Sequence, residues 1–140
     1  MRKRNLTLCV AGNLIGRNFG FVTTQGLLLA HLLAEDGFDV LAVSSSLNRF
    51  RRLFEICWAI LRNCRRINVL ILEVYSGVGF FPADVVSLLA RVLGIPAILV
   101  LHGGSLPESA QRYPRWVKRV FRRASALVAP SSFLAGRLSQ

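Results

Sequence analysis

Five short aliphatic runs alternate with longer segments whose apolar residues recur every three or four positions. The runs are Leu6 to Ala11, Val40 to Val43, Val69 to Val74, Ala97 to Leu101 and Ala126 to Ala129. None alternates polar with apolar, which is how a strand covered on both faces reads. The segments Phe21 to Asp36, Leu47 to Arg66, Pro82 to Leu93 and Pro114 to Arg123 carry the helical period, and a last helix is expected from Ser131 or Ser132 to the end. Strand alternating with helix predicts parallel pairing through right-handed crossovers. The expected fold is a Rossmann-like three-layer α/β/α sandwich around a five-stranded parallel sheet in the order 3-2-1-4-5. At 140 residues it forms one domain over positions 1–140.

Local signals agree with this division. Gly37 and Gly94 stand where C′ glycines close helices, Pro82 suits a first helical turn, and Ser131 or Ser132 can cap the last helix. The mean hydropathy of +0.47 is high, yet no apolar run reaches the roughly 18 residues of a membrane span. Buried strands explain it better. Met1-Arg-Lys-Arg4 followed by Leu6 to Val10 imitates a short signal peptide. The apolar stretch is too short, however, and Gly12-Asn13 interrupts it without a cleavage site, so it reads as a cytosolic first strand. Cys9, Cys57 and Cys64 are odd in number and lack CxxC spacing, which predicts reduced, mostly buried thiols and no metal site.

Charge narrows the choice of partners. Lys and Arg number 18, nearly all of them arginine, against 7 acidic residues, for a net charge of +11. Such a surface attracts phosphate, acidic lipid or nucleic acid, but no recognition helix or stacking motif accompanies it, so nucleic acid is not expected. The second helix is the most amphipathic. Phe50, Leu53, Phe54, Cys57, Trp58, Ile60 and Leu61 gather on one side, and Arg51, Arg52, Glu55, Arg62 and Arg66 on the other. Two readings stay open: a helix packed on the sheet with a solvated basic face, or a face that touches anionic lipid through Arg51, Arg52, Arg62 and Arg66.

In open parallel sheets, ligands bind beyond the carboxyl ends of the strands. The residues after the five expected strands are Gly12-Asn13, Ser44-Ser45-Ser46, the Tyr75-Ser76-Gly77 that succeeds Glu73-Val74, His102-Gly103-Gly104-Ser105 and Pro130-Ser131-Ser132. Small and polar residues concentrate at this one edge. The loop from Gly12 through Gly16, Arg17 and Gly20 opens into the first helix, where glycine and helical N–H groups can approach a phosphate. Its spacing is neither GxGxxG nor a Walker loop. A nicotinamide enzyme would usually carry Asp or Glu after the second strand; here stand Ser44 to Ser46 with Arg49 beyond, an arrangement that an NADP site could tolerate but that the glycine spacing makes a weak fit. His102 ends a buried strand before two glycines, a place for a hydrogen-bond donor or base toward a sugar hydroxyl or phosphate. His31, inside an apolar helix, is read as structural.

From Ala97-Ile-Leu-Val-Leu-His-Gly-Gly-Ser-Leu-Pro-Glu108 and Tyr113-Pro-Arg-Trp-Val-Lys-Arg-Val-Phe-Arg-Arg-Ala-Ser-Ala-Leu-Val-Ala-Pro-Ser-Ser-Phe-Leu-Ala135, the chain resembles the N-terminal domain of family 4 glycosyltransferases. These are GT-B enzymes with two Rossmann-like domains facing across a cleft. Asp84 to Gly94 before Ile95-Pro96 fits the same pattern. The resemblance implies an acceptor-side domain that transfers sugar from a nucleotide-sugar donor to a glycan, lipid-linked or small-molecule acceptor. The donor is a substrate, and no cofactor or metal is implied. Gly16, Arg17 and Gly20 would approach the donor diphosphate, and His102 would match the active-site histidine. Glu73, Tyr75, Ser76, Gly103, Gly104 and Ser131 would line the acceptor side. The C-terminal donor domain with its E-x7-E motif is expected to be missing, and the N-terminal domain to stop early. Cytoplasmic location at the inner face of a membrane goes with that class. Two alternatives remain: a non-catalytic remnant holding a phosphate or lipid head group, and an NADP-binding oxidoreductase domain.

Overall fold

A computed structural model describes residues 6–11, 25–43, 49–74, 80–101, 108 and 111–129. The elements are β1 (Thr7–Ala11), α1 (Gln25–Glu35), β2 (Asp39–Val43), α2 (Arg49–Arg62), β3 (Val69–Val74), α3 (Phe80–Val92), β4 (Ala97–Leu101), α4 (Pro114–Arg122) and β5 (Ala126–Val128). Each expected strand and each of the first four expected helices appears within a few residues of its predicted bounds. The helix expected after Ser131 lies outside the described residues.

The five strands form an all-parallel sheet flanked by helices, in the Rossmann-like manner expected, but its order is β2-β1-β3-β4-β5. This corrects the expected 3-2-1-4-5: β3 lies on the far side of β1 from β2, and β2 is an edge. The crossover rule fixes the hand of each connection, not the flank on which the next strand pairs. Burial explains the choice. β3, with the uninterrupted run Leu70-Ile71-Leu72, is buried at every position but its first, whereas β2 is buried at none. A strand led by the charged Asp39 is suited to an edge, and a strand buried along nearly its whole length to the centre. The three-residue β5 is exposed throughout and forms the other edge.

The chain divides into two compact units, Met1–Ile71 and Leu72–Gln140. In the first, β1 is buried along its whole length and pairs with β2 in the register Thr7↔Asp39 to Ala11↔Val43. Ile56 and Ile60 of α2 supply the buried side of that helix, at 2% and 0% exposure. A polar clasp closes the amino end of the strands. Asn68 accepts from the Thr7 N–H at 2.8 Å through Oδ1 and donates its own N–H to the Thr7 carbonyl at 2.9 Å. Thr7 Oγ1 donates to Asp39 Oδ2 at 3.1 Å, and Arg66 Nη2 donates to the same oxygen at 2.7 Å. The two Asn68 bonds satisfy the backbone N–H and carbonyl of Thr7. By the crossover rule, α1 on the outward connection and α2 on the returning one take opposite faces of β1 and β2.

In the second unit β4 and β5 pair from Ile98↔Ala126 to Val100↔Val128. Phe80, 2% exposed, meets Trp116 edge-to-face at 4.7 Å between ring centroids and lies 6.4 Å from Phe121. Such aromatic contacts join α3 to α4. Helix α4 begins with Pro114, whose missing N–H removes one of the donors a helix start leaves open, and ends with Arg119 and Arg122 near its negative pole.

Both predicted helix-closing glycines are in the left-handed region, Gly37 at φ 97° and Gly94 at φ 73°. At each the two bonds of a Schellman motif form. Gly37 N–H reaches the Ala34 carbonyl at 3.2 Å and Phe38 N–H that of Leu33 at 3.2 Å. Gly94 N–H reaches Arg91 at 3.1 Å and Ile95 N–H reaches Ala90 at 2.8 Å.

Candidate functional site

In each unit the parallel pairing puts the carboxyl ends of neighbouring strands at one edge. Within each unit the described register makes neighbouring strands end together. Ala11 pairs with Val43, so the segments beginning at Gly12 and Ser44 leave from adjacent residues. Val100 pairs with Val128, so the segments after Leu101 and Ala129 leave close together as well. His102 is the residue directly after β4 in the sequence.

Of the residues singled out from the sequence, Glu73 is the one the structure describes at this edge. It is next to last in β3, 6% exposed, between Leu72 at 2% and Val74 at 0%. A carboxylate is costly to bury and is kept in such a place by donors or positive charge. A carboxylate at a strand end is an acceptor for hydroxyl and N–H donors. Gly16, Arg17 and Gly20, Tyr75 and Ser76, His102, Gly103 and Gly104, and Ser131 lie outside the described residues.

Sequence reasoning missed the role of Asp84. It accepts from Trp116 Nε1 at 2.8 Å through Oδ2 and from Arg123 Nη1 at 2.6 Å through Oδ1, with Arg119 at 3.7 Å. Burial works against its charge, but the bonds from Trp116 and Arg123 and the positive charges of Arg123 and Arg119 outweigh it. The carboxyl is held below its usual range. The signal was present: Asp84 opens one resemblance segment, and Trp116 and Arg123 lie in another. Those residues read as a motif and act here as a structural clasp.

Other expectations come out unevenly. Cys9 is fully buried, and burial pushes its thiol up to about 12, which makes it chemically inert at neutral pH. Cys57 and Cys64 are only half-buried, and all three thiols are free. His31 faces solvent, with Nε2 3.2 Å from Glu35 Oε1 one turn on. The apolar side of α2 does not pack wholly on the sheet: Phe50, Phe54, Trp58 and Leu61 are exposed, at 79%, 68%, 56% and 48%. The apolar arc is wider than the sheet can cover. Among the described residues no group of three or more His, Cys, Asp or Glu is placed to hold a metal ion. Among them, too, no helix is long and apolar enough to cross a membrane.

Compared with protein-family models, curated proteins and solved structures, the chain matches none.

Proposed function

We propose that the chain is the acceptor-side domain of a GT-B glycosyltransferase, moving a sugar from a nucleotide-sugar to a glycan, lipid-linked or small-molecule acceptor when joined to a donor-binding domain. The observation that carries the reading is the parallel sheet whose β4 ends directly before His102-Gly103-Gly104-Ser105 in the sequence and whose β5 precedes Pro130-Ser131-Ser132. A ligand edge at the carboxyl ends of parallel strands is the general rule for such sheets, and the resemblance segments include β4 and β5.

In this reading His102 serves the transferred sugar as base or hydrogen-bond donor. Gly16, Arg17 and Gly20 approach the donor diphosphate with backbone N–H groups and one guanidinium. Glu73, Tyr75, Ser76, Gly103, Gly104 and Ser131 face the acceptor, with the Glu73 carboxylate accepting from its hydroxyls. No metal or cofactor has a part in the scheme. The matching location is the cytoplasm, at the inner face of the membrane.

Ligand-observed NMR on the chain, with a nucleotide-sugar, the free nucleoside diphosphate and NADPH in parallel, tests the reading. Saturation transfer to the nucleotide-sugar, weakened in Arg17→Ala, is the expected result. Preference for NADPH would point to the oxidoreductase alternative, and displacement of all three ligands alike by added inorganic phosphate to a non-catalytic remnant.

A further inference from the structure

We propose that α2 is a docking helix for anionic lipid surfaces, using an exposed aromatic stripe bordered by arginine. With successive residues about 100° apart, Ile56 and Ile60 point to the buried side, while Phe50, Leu61, Phe54 and Trp58 succeed one another around the exposed side. Next on that arc come Arg51 and Arg62, both exposed. Phe54 and Trp58 stack with centroids 6.4 Å apart and planes 11° from parallel, which makes a flat apolar plate one turn long.

Four large apolar side chains in one exposed row are more than a soluble helix needs, and such a row marks an interaction surface. The border selects the occupant. Arginines flank the stripe, so the partner must accept an apolar wedge and supply negative charge beside it. The headgroup boundary of an anionic bilayer does both, and Trp is suited to that depth because its ring is apolar and its N–H polar. A nucleic-acid duplex, with its bases stacked inside, would use the charge and leave the aromatic row idle. Arg51 also contacts Glu55 at 3.3 Å, but both are on the surface, where a neighbouring pair exchanges readily with a lipid phosphate. Of the other arginines on the basic side, Arg66 lies past the end of α2, off the stripe, and Arg52 is half-buried on the opposite flank. Arg51 and Arg62 therefore carry the contact. The surface stands independently of the glycosyltransferase reading.

Co-sedimentation of the full chain with phosphatidylcholine vesicles, with and without phosphatidylglycerol, tests this. Binding should require phosphatidylglycerol and fade with salt. Arg51→Gln with Arg62→Gln should weaken partition by about tenfold or more, and Phe54→Ser with Trp58→Ser by a similar factor. The melting temperature of each variant serves as the folding control, and stays near that of the parent because all four residues are exposed or on the surface. Arg115→Gln with Arg122→Gln on α4, also exposed, should cost less than the α2 pair. Brominated lipid should quench emission from Trp58 and spare Trp116, so the quenched fraction disappears in Trp58→Phe. Equal binding to both vesicle types, full binding by the Phe54/Trp58 variant, or equal loss from the α4 variant would overturn the proposal. So would a dimer that the stripe variant dissolves and vesicles do not.

Discussion

Arg123, which caps the carboxyl end of α4, donates from Nη1 to Asp84 Oδ1 at 2.6 Å and to the Asp84 carbonyl oxygen at 2.9 Å. The same Nη1 lies 3.3 Å from Ser87 Oγ. The guanidinium side chain is 8% exposed and the Asp84 side chain 19%. One arginine thus binds the start of α3 to the end of α4 through side chain and backbone together. Removing the carboxylate leaves a largely buried positive charge without its main partner, which costs about 3 kcal/mol. Asp84→Ala should lose that much in urea unfolding. Arg123→Lys should lose a good part of it, since lysine offers a point charge and no fork of donors. An Asp84→Ala variant as stable as the parent would show the clasp to be idle.

Acid sensitivity comes from the same contact. Folding lowers the pKa of Asp84, so as pH falls the unfolded chain takes up the proton first. The contribution is fully present above the ordinary carboxyl value of about 4 and is lost as pH drops through the lower folded value. Asp39 is shifted the same way, by its bond from Arg66 and then that from Thr7, but its exposed site makes it the lesser contributor. Urea midpoints measured between neutral and acid pH should fall below about pH 4, and Asp84→Asn should flatten that limb. Parallel acid limbs in parent and variant would contradict the assignment.

The features legible in the sequence and those hidden from it divide along physical lines. Strands and helices are readable because each shows its period locally: Leu70-Ile71-Leu72 can only be a run covered on both faces, and Gly94 before Ile95-Pro96 can only end a helix. Strand order is not, because it depends on which flank of β1 receives β3. The cues for it, Asp39 at the head of β2 and the brevity of β5, are matters of relative burial. Asp84 reads as part of a pattern and not as a partner, since Trp116 and Arg123 lie 32 and 39 residues on. The apolar arc of α2 is visible, but how much of it the sheet covers is not. Of the candidate site, the edge is legible from the small and polar residues after each strand. Glu73, buried near the end of β3, is the candidate that the structure describes there.

Gly94 offers a test of local conformation free of packing effects. Its φ of 73° suits glycine, and a Cβ added there would meet nothing within 4 Å. Gly94→Ala should therefore lose about 1 kcal/mol through backbone strain alone. Gly94→Asn should lose less, because asparagine tolerates the left-handed region. Thermal melts of the two variants decide it, and equal losses would mean that the strain argument fails.

The remaining prediction concerns His102 in the proposed transferase. A GT-B site is a cleft between two domains, and these 140 residues supply the acceptor wall in that reading. Catalysis needs donor and acceptor held together in reacting geometry, so this chain by itself should transfer no sugar at a measurable rate. Apolar side chains exposed on α3, Phe81 at 55% and Val92 at 74%, should also favour association of the isolated chain. With a donor domain supplied in trans, His102→Ala should lower turnover by about 10²–10⁴-fold, the usual contribution of a positioned acid or base. It should leave the melting temperature nearly unchanged, because in this reading the histidine serves the ligand and not the core. Transfer of labelled sugar, followed beside a thermal melt, separates the two roles. Unchanged turnover in the variant would reduce His102 to a structural residue. Robust transfer by a monomeric preparation of this chain, with contaminating transferases excluded, would show that one wall is enough and that the two-domain reading is wrong.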